Sequence, residues 1–204
     1  MANRGDVDID VVDRDKALAE LIHVPASIIR DGKITKHNTG AYFHAMPIDP
    51  MTGLSSIGYD RAEEMGCFKI DVLNVGVYSM VRDETHLIDL MNRPLDWSMF
   101  EDTAFVGKLF HLGNYGELTA RLKPRSVKHI AMVLALIRPG KRYLQSKCIR
   151  LGFDSIQDEI WQQDAEDGYV FKKSHGISYA MVVYVHANLL IEEGKTKVSL
   201  ADPA

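Results

Sequence analysis

The sequence predicts an α+β protein, on three observations. Two short segments of alternating acidic and apolar residues lie in the first half, apolar residues recur at helical spacing in the second, and beyond Phe100 no segment alternates cleanly. The expected division is a mixed sheet-and-helix domain over residues 1–98, a mainly helical domain over 99–193 and a flexible polar tail over 194–204. With 204 residues and 46% hydrophobic content, the chain can bury a substantial core. The N-terminus is polar and acidic, unlike a signal peptide, and no apolar run approaches the ~20 residues that span a bilayer. The expected location is therefore the cytoplasm, without membrane contact.

The first strand is Asp6-Val7-Asp8-Ile9-Asp10-Val11. Asp13 is an N-cap for a helix over Lys16 to Ile22, which ends near Pro25. Residues 32 to 40 are rich in basic and turn-forming side chains and are expected to be a loop leading into a strand over Ala41 to Met46. Pro47, Pro50 and Gly53 punctuate the next loop, and Tyr59 to Met65 forms a short helical turn. The second acidic strand, Phe68-Lys69-Ile70-Asp71-Val72-Leu73, follows. Apolar residues between Val77 and Met91 predict a helix stopped by Arg93-Pro94. Ser126 caps a helix over Val127 to Ile137, ended by Arg138-Pro139-Gly140, and shorter helices fall within 141–166. Gly176 to Glu193 reads as a long helix with Tyr179, Val182, Val183, His186 and Leu190 in one stripe.

In a strand, successive side chains point to opposite faces, so Asp6, Asp8 and Asp10 share one face and Val7, Ile9 and Val11 the other. Carboxylates about 7 Å apart on one face repel each other unless cations or donors lie between them. Mg²⁺ answers that need, since it takes oxygen ligands and shares them with phosphate. Two Asp from one strand and one from its neighbour can hold a metal pair. Taken alone, D-x-D-x-D is also the pattern of a charged edge strand that resists aggregation. Cys67 and Cys148 have no zinc-ligand spacing, and the eight histidines form no His-Glu-x-x-His. Net charge is −4, yet Arg121 to Arg150 holds nine Lys and Arg and no Asp or Glu. Such a field attracts phosphate, or else pairs with acidic surface elsewhere in the fold.

Taken in order, these segments resemble the catalytic region of the bacterial DNA polymerase III alpha subunit, the C family of DNA polymerases. Asp6-Val7-Asp8-Ile9-Asp10 resembles its D-[IF]-D-[VI]-D strand, and Phe68 to Leu73 its K-F-D-F-L-G-L strand. Lys36-His37 resembles the K-H of G-K-H-A-G-G, with Asn38 and Thr39 in place of small residues. Leu109-Phe110-His111-Leu112 resembles V-F-Q-L, Arg121-Leu122-Lys123-Pro124 resembles R-L-x-P, and Met132 to Gly140 resembles I-A-L-V-A-L-[YF]-R-P-G. Gly168 to His175, with Tyr179 four residues on, resembles G-Y-G-F-N-K-S-H-x-x-x-Y.

The resemblance implies a palm of the DNA polymerase beta-like nucleotidyltransferase type, a small mixed sheet with helices, followed by a helical fingers-like region. It implies Asp8, Asp10 and Asp71 as catalytic acids and ligands of two Mg²⁺ ions. Lys69, Arg138, Lys173, Ser174, His175 and Tyr179 would bind the incoming dNTP. Lys36, His37, Arg121, Lys123, Arg125, Lys128, Lys141 and Arg142 would hold the DNA primer-template. With five residues before Asp6, the family's Gly-Ser triphosphate loop is expected to lack a counterpart, and residues 140–168 are shorter than the family's stretch. The expectation is a minimal DNA-directed DNA polymerase, or one part of a split polymerase completed by a subunit carrying that loop. A compact replication module of this kind suggests a phage, acting in a bacterial host's cytoplasm. The alternatives are a non-catalytic DNA- or polymerase-binding accessory protein and a metal-dependent nuclease.

Overall fold

The computed structural model describes residues 7–162 and 173–201, with 195–201 described by backbone alone. The chain divides into two compact units, Met1–Met80 and Val81–Ala204. Asp6 and the segment 168–172, both carrying sequence expectations, lie outside the described residues.

The first unit is built on a four-stranded mixed sheet in the order β1-β4-β3-β2, with β1 Val7–Val11, β2 Val24–Arg30, β3 Lys33–Tyr42 and β4 Ile70–Asn74. β1 runs parallel to β4, and the other neighbours are antiparallel. Most of β3 stands where the sequence reading expects a loop over 32–40, and β2 lies in a stretch for which it names no strand. The reason is Asp31-Gly32, a two-residue turn with φ of 50° and 73°, the all-positive backbone that matches the twist of a tight hairpin. Arg30 then pairs with Lys33 and the basic residues alternate along a strand. Between β1 and β4 the chain forms two short helices, α1 Arg14–Ala19 and α2 Tyr59–Glu64. The Asp13 side chain accepts the Lys16 N–H and caps α1, as the sequence predicts. Leu18 of α1 packs with Ala41 and Val72. As an edge strand, β1 keeps little of its apolar face covered: Val7 is 40% and Ile9 45% exposed.

The second unit is helical around one apolar core. After α3 Glu84–Asn92 and α4 Thr103–Val106 come α5 Gly116–Leu122, α6 Val127–Leu136, α7 Gln145–Leu151 and α8 Lys173–Ala201. Every residue of α6 from Ile130 to Leu136 is buried, so it is an interior helix rather than one with a single apolar face. Ser126 caps its start by accepting the His129 N–H. At its end, Gln145 Nε2 donates to the Leu136 carbonyl at 2.8 Å and Arg142 Nε to that of Ile137 at 3.2 Å, so side chains satisfy its free carbonyls. α8 packs along α6, where Gly176 lets Trp161 close in: a Cβ there would stand 3.0 Å from the indole. The helix expected over Val77 to Met91 is a 3-10 turn over Gly76–Met80 followed by α3, whose N-cap Asp83 accepts the His86 N–H.

Two boundaries differ from expectation. Residues 81–98 group with the helical unit because α8 reaches back to them: Tyr184 donates its hydroxyl to the Arg93 carbonyl at 2.6 Å, and Asn188 donates its amide to Leu90 and Arg93. α8 also runs to Ala201, through the residues expected to be a tail. Among the described residues, no helix is long and apolar enough to cross a membrane.

Candidate functional site

In the sheet, the parallel register places Asp8 directly beside Asp71, with Asp10 two residues farther along β1. Side chains of paired residues point to the same face, so the three predicted acids share one face. Asp10 lies close enough to Tyr78 to reinforce the rise in that phenol's pKa, which burial chiefly causes. The Asp71 side chain is 15% exposed. It accepts a hydrogen bond from the Thr39 hydroxyl at 2.7 Å and one from the Lys69 ammonium, and His37 Nδ1 lies 3.8 Å away. Lys69 immediately precedes β4, and its ammonium reaches the Asp71 carboxylate.

Among the described residues, no three acidic, histidine or cysteine side chains gather closely enough to hold a metal ion. The Asp71 oxygens accept from an ammonium and a hydroxyl. The donor chemistry of Asp8, Asp10 and Asp71 still suits a hard cation such as Mg²⁺. Holding one at Asp71 requires Lys69 to move aside.

His37 and Lys36 stand in β3 on opposite faces rather than together in a loop. Lys36 is exposed. His37 is half-buried, and its Nδ1 accepts the Gly40 N–H at 2.9 Å. Burial, then the charge of Lys69, lowers its pKa, while Asp71 opposes the shift. Its place beside Asp71 makes it a partner of the acidic site, not a free phosphate contact. Thr39, which replaces a small residue of the resembled motif, is a site residue that the sequence reading missed, because its hydroxyl matters only once β3 lies beside β4. Gly40 lies opposite Asp71, and a Cβ on it would come within 2.7 Å of Lys69 Cδ and 3.0 Å of His37 Nδ1.

The basic run in the helical unit is spent in several directions. Lys123 and Arg125 both pair with Glu101, and their hydrogen bonds hold that carboxyl below its ordinary pKa. Lys128 donates to Gln157, and Lys147 pairs with Glu159 at 2.7 Å. Lys141 is a correction: it is fully buried, with its ammonium 5.7 Å from the Tyr143 ring centroid, and presents no charge to DNA. Arg121 and Arg142 are exposed.

The predicted nucleotide-binding residues of this unit fall in two places. Lys173, Ser174 and His175 form the first turn of α8, and Tyr179 follows one turn after His175 on the same side. Arg138, between α6 and the next 3-10 turn, lines a hollow of about 380 Å³ with His111, Asn114 and Tyr115. The two places are linked through His111, which meets Tyr179 edge-on with centroids 5.1 Å apart and packs against Phe110 at 4.1 Å. His186 of α8 holds this loop by accepting the Phe110 N–H at 3.0 Å. Partial burial, then Arg138, lowers the pKa of His111. His111 and Asn114 carry no role in the sequence reading, since only folding brings them beside Arg138. The chain matches no protein-family model and no curated protein.

Proposed function

We propose that the chain is a nucleotidyltransferase of DNA synthesis, adding dNTPs to a DNA primer alone or with a complementing subunit that supplies a triphosphate-binding loop. The observation that carries this reading is the register that sets Asp8 beside Asp71, with Asp10 on the same face. Those three carboxylates would hold two Mg²⁺ ions, which supply Lewis-acid activation of the primer 3′-hydroxyl and charge neutralisation at the α-phosphate. Thr39 orients the Asp71 carboxylate through its hydroxyl. Lys69 acts as its counter-ion and is within reach of phosphate if the ion pair opens. In the helical unit, Arg138 supplies charge for the triphosphate and Tyr179 a ring for the sugar or base. Arg121 and Arg142 contact backbone phosphates.

A second reading is favoured by the Lys69 clasp on Asp71 and by the pairing of Lys123 and Arg125 with Glu101. In it, the acids are structural and the protein is a non-catalytic DNA- or polymerase-binding accessory. Mg²⁺-dependent extension of a labelled DNA primer by the 204-residue protein, with Asp8→Ala alongside, separates the two. Extension by the wild type and its loss in a folded Asp8→Ala protein supports chemistry. Equal, absent extension by both, unchanged when candidate polymerase subunits are added, supports the accessory reading. Degradation of the primer by the wild type alone would instead indicate a nuclease.

A further inference from the structure

We propose that the β2–β3 hairpin is an arm that grips the phosphate backbone of a nucleic-acid strand through Arg30 and Lys33, on the face of the sheet that carries Asp71. The proposal rests on the DNA-synthesis reading above and adds two contact residues that neither the resemblance nor that reading assigns. The Asp31-Gly32 turn fixes the register that sets Arg30 directly opposite Lys33. Residues so paired point to one face with their Cβ atoms about 5 Å apart, so the hairpin tip holds two cations side by side. Both side chains are exposed. Like charges directly opposite each other destabilise a pair of strands, and a polyanion laid across the tip removes that repulsion. From Val24 to Tyr42 the chain carries Arg30, Lys33 and Lys36 against a single acid, Asp31, which occupies the turn. The hairpin is therefore a basic element in a protein of net charge −4.

One face joins the tip to the acidic site. Alternation along β2 puts Ala26, Ile28 and Arg30 on the same side. Ala26 Cβ lies 2.9 Å from where a Cβ on Gly40 would stand, and Gly40 is opposite Asp71. On β3, Lys33, Thr35 and His37 follow at every second position, and His37 Nδ1 is 3.8 Å from Asp71. The tip is thus about 13 Å from His37, four residues along the strand. A nucleic-acid strand held at the tip and running along this face reaches the Asp71 carboxylate. Lys36, paired with Ser27, stands on the other face, so the backbone contact expected of it passes to Arg30 and Lys33. A guanidinium and an ammonium on an exposed arm position a phosphate backbone and carry no base readout, so the contact is independent of sequence.

The test follows a fluorescent DNA primer-template by anisotropy at several salt concentrations, with the intact protein. Wild type is compared with Arg30→Gln, Lys33→Gln, the double variant and Lys16→Gln, an exposed lysine of α1 that serves as control. Each single arm variant should reduce the slope of log affinity against log salt by about 0.9 and the double variant by about 1.8, with binding weakened at least tenfold in the double. Lys16→Gln should change neither. The double variant should melt at or above the wild-type temperature, since the cross-strand repulsion is gone. A second measurement needs no variant: the primer-template should protect Lys33 over Lys16 from acetylation, read by peptide mass spectrometry, and polyglutamate should protect it less. Equal slopes in all five proteins with Lys33 unprotected would overturn the arm, as would an absence of DNA binding by wild type. Protection by polyglutamate as strong as by DNA would assign the tip to an acidic protein and overturn the nucleic-acid contact. Equal slopes beside primer extension that Asp8→Ala abolishes would remove the arm and leave the polymerase reading standing. Reduced slopes in the arm variants without extension, even with candidate subunits added, would support the arm and turn the function to the accessory reading.

Discussion

Gly40 shows how tightly the acidic site is built. Only a glycine lets Lys69, Ala26 and His37 converge opposite Asp71, since a Cβ would meet Lys69 Cδ at 2.7 Å, Ala26 Cβ at 2.9 Å and His37 Nδ1 at 3.0 Å. The Lys69 stem can swing away, but Ala26 belongs to β2 and moves only with its strand. Gly40→Ala should therefore destabilise the fold by about 1–3 kcal/mol, as overpacking does, checked by urea denaturation. Lys141 makes the opposite point about charge. Being buried, it supports packing and does not hold phosphate, so Lys141→Ala should lower stability by about 2 kcal/mol or more. If the protein binds DNA, that variant should leave the slope of log affinity against log salt unchanged. Arg121→Ala, at an exposed position, should reduce that slope by about 0.9 while leaving stability intact.

At the scale of elements, the contact that draws α3 into the helical unit is polar. Helices end with free carbonyls, and α3 has two of its neighbouring ones, Leu90 and Arg93, served by the buried amide of Asn188, with the Tyr184 hydroxyl also on Arg93. Asn188→Ala should cost about 1–3 kcal/mol, because it strands a buried carbonyl. Tyr184→Phe should cost less, since Asn188 still reaches Arg93. Hydrogen exchange at α3 amides would register both changes. The same contact explains what was and was not legible in the sequence. The two acidic strands, the capped α1 and α6 and the α+β class follow from alternation, caps and periodicity within short windows. β3 is not legible although Asp31-Gly32 is a strong hairpin signal, because the basic and turn-forming residues that follow it mask the alternation. The boundary at Met80, the role of Thr39 and the meeting of His111 with Arg138 depend on residues far apart in sequence, and no local pattern encodes them.

Across the whole molecule, acid should weaken the fold in two separate stages. His37, His111, His129 and His186 all have pKa values lowered, with burial the leading cause in each. The unfolded chain then binds more protons than the folded one as pH drops below the ordinary imidazole value near 6.5. Their contribution is therefore complete above that pH and is lost as pH falls through the lowered values. Glu192 acts lower on the scale. Hydrogen bonds from Arg93, then Arg82, hold its pKa down at about 2, and its oxygen lies 3.4 Å from the buried His86. A carboxylate depressed in the folded state contributes stability above its ordinary value near 4.5 and loses it as pH falls toward 2. Because Glu192 is partly exposed, its share is about 1–2 kcal/mol after solvent screening. Urea midpoints measured from pH 7.5 to 2.5 should accordingly fall once below pH 6.5 and again below pH 4.5. Glu192→Gln should lower the midpoint at pH 7 and shrink the second fall while keeping the first. A second fall of undiminished size in that variant would mean that other carboxylates, not the Arg82–Glu192–Arg93 bridge, control the acid limit.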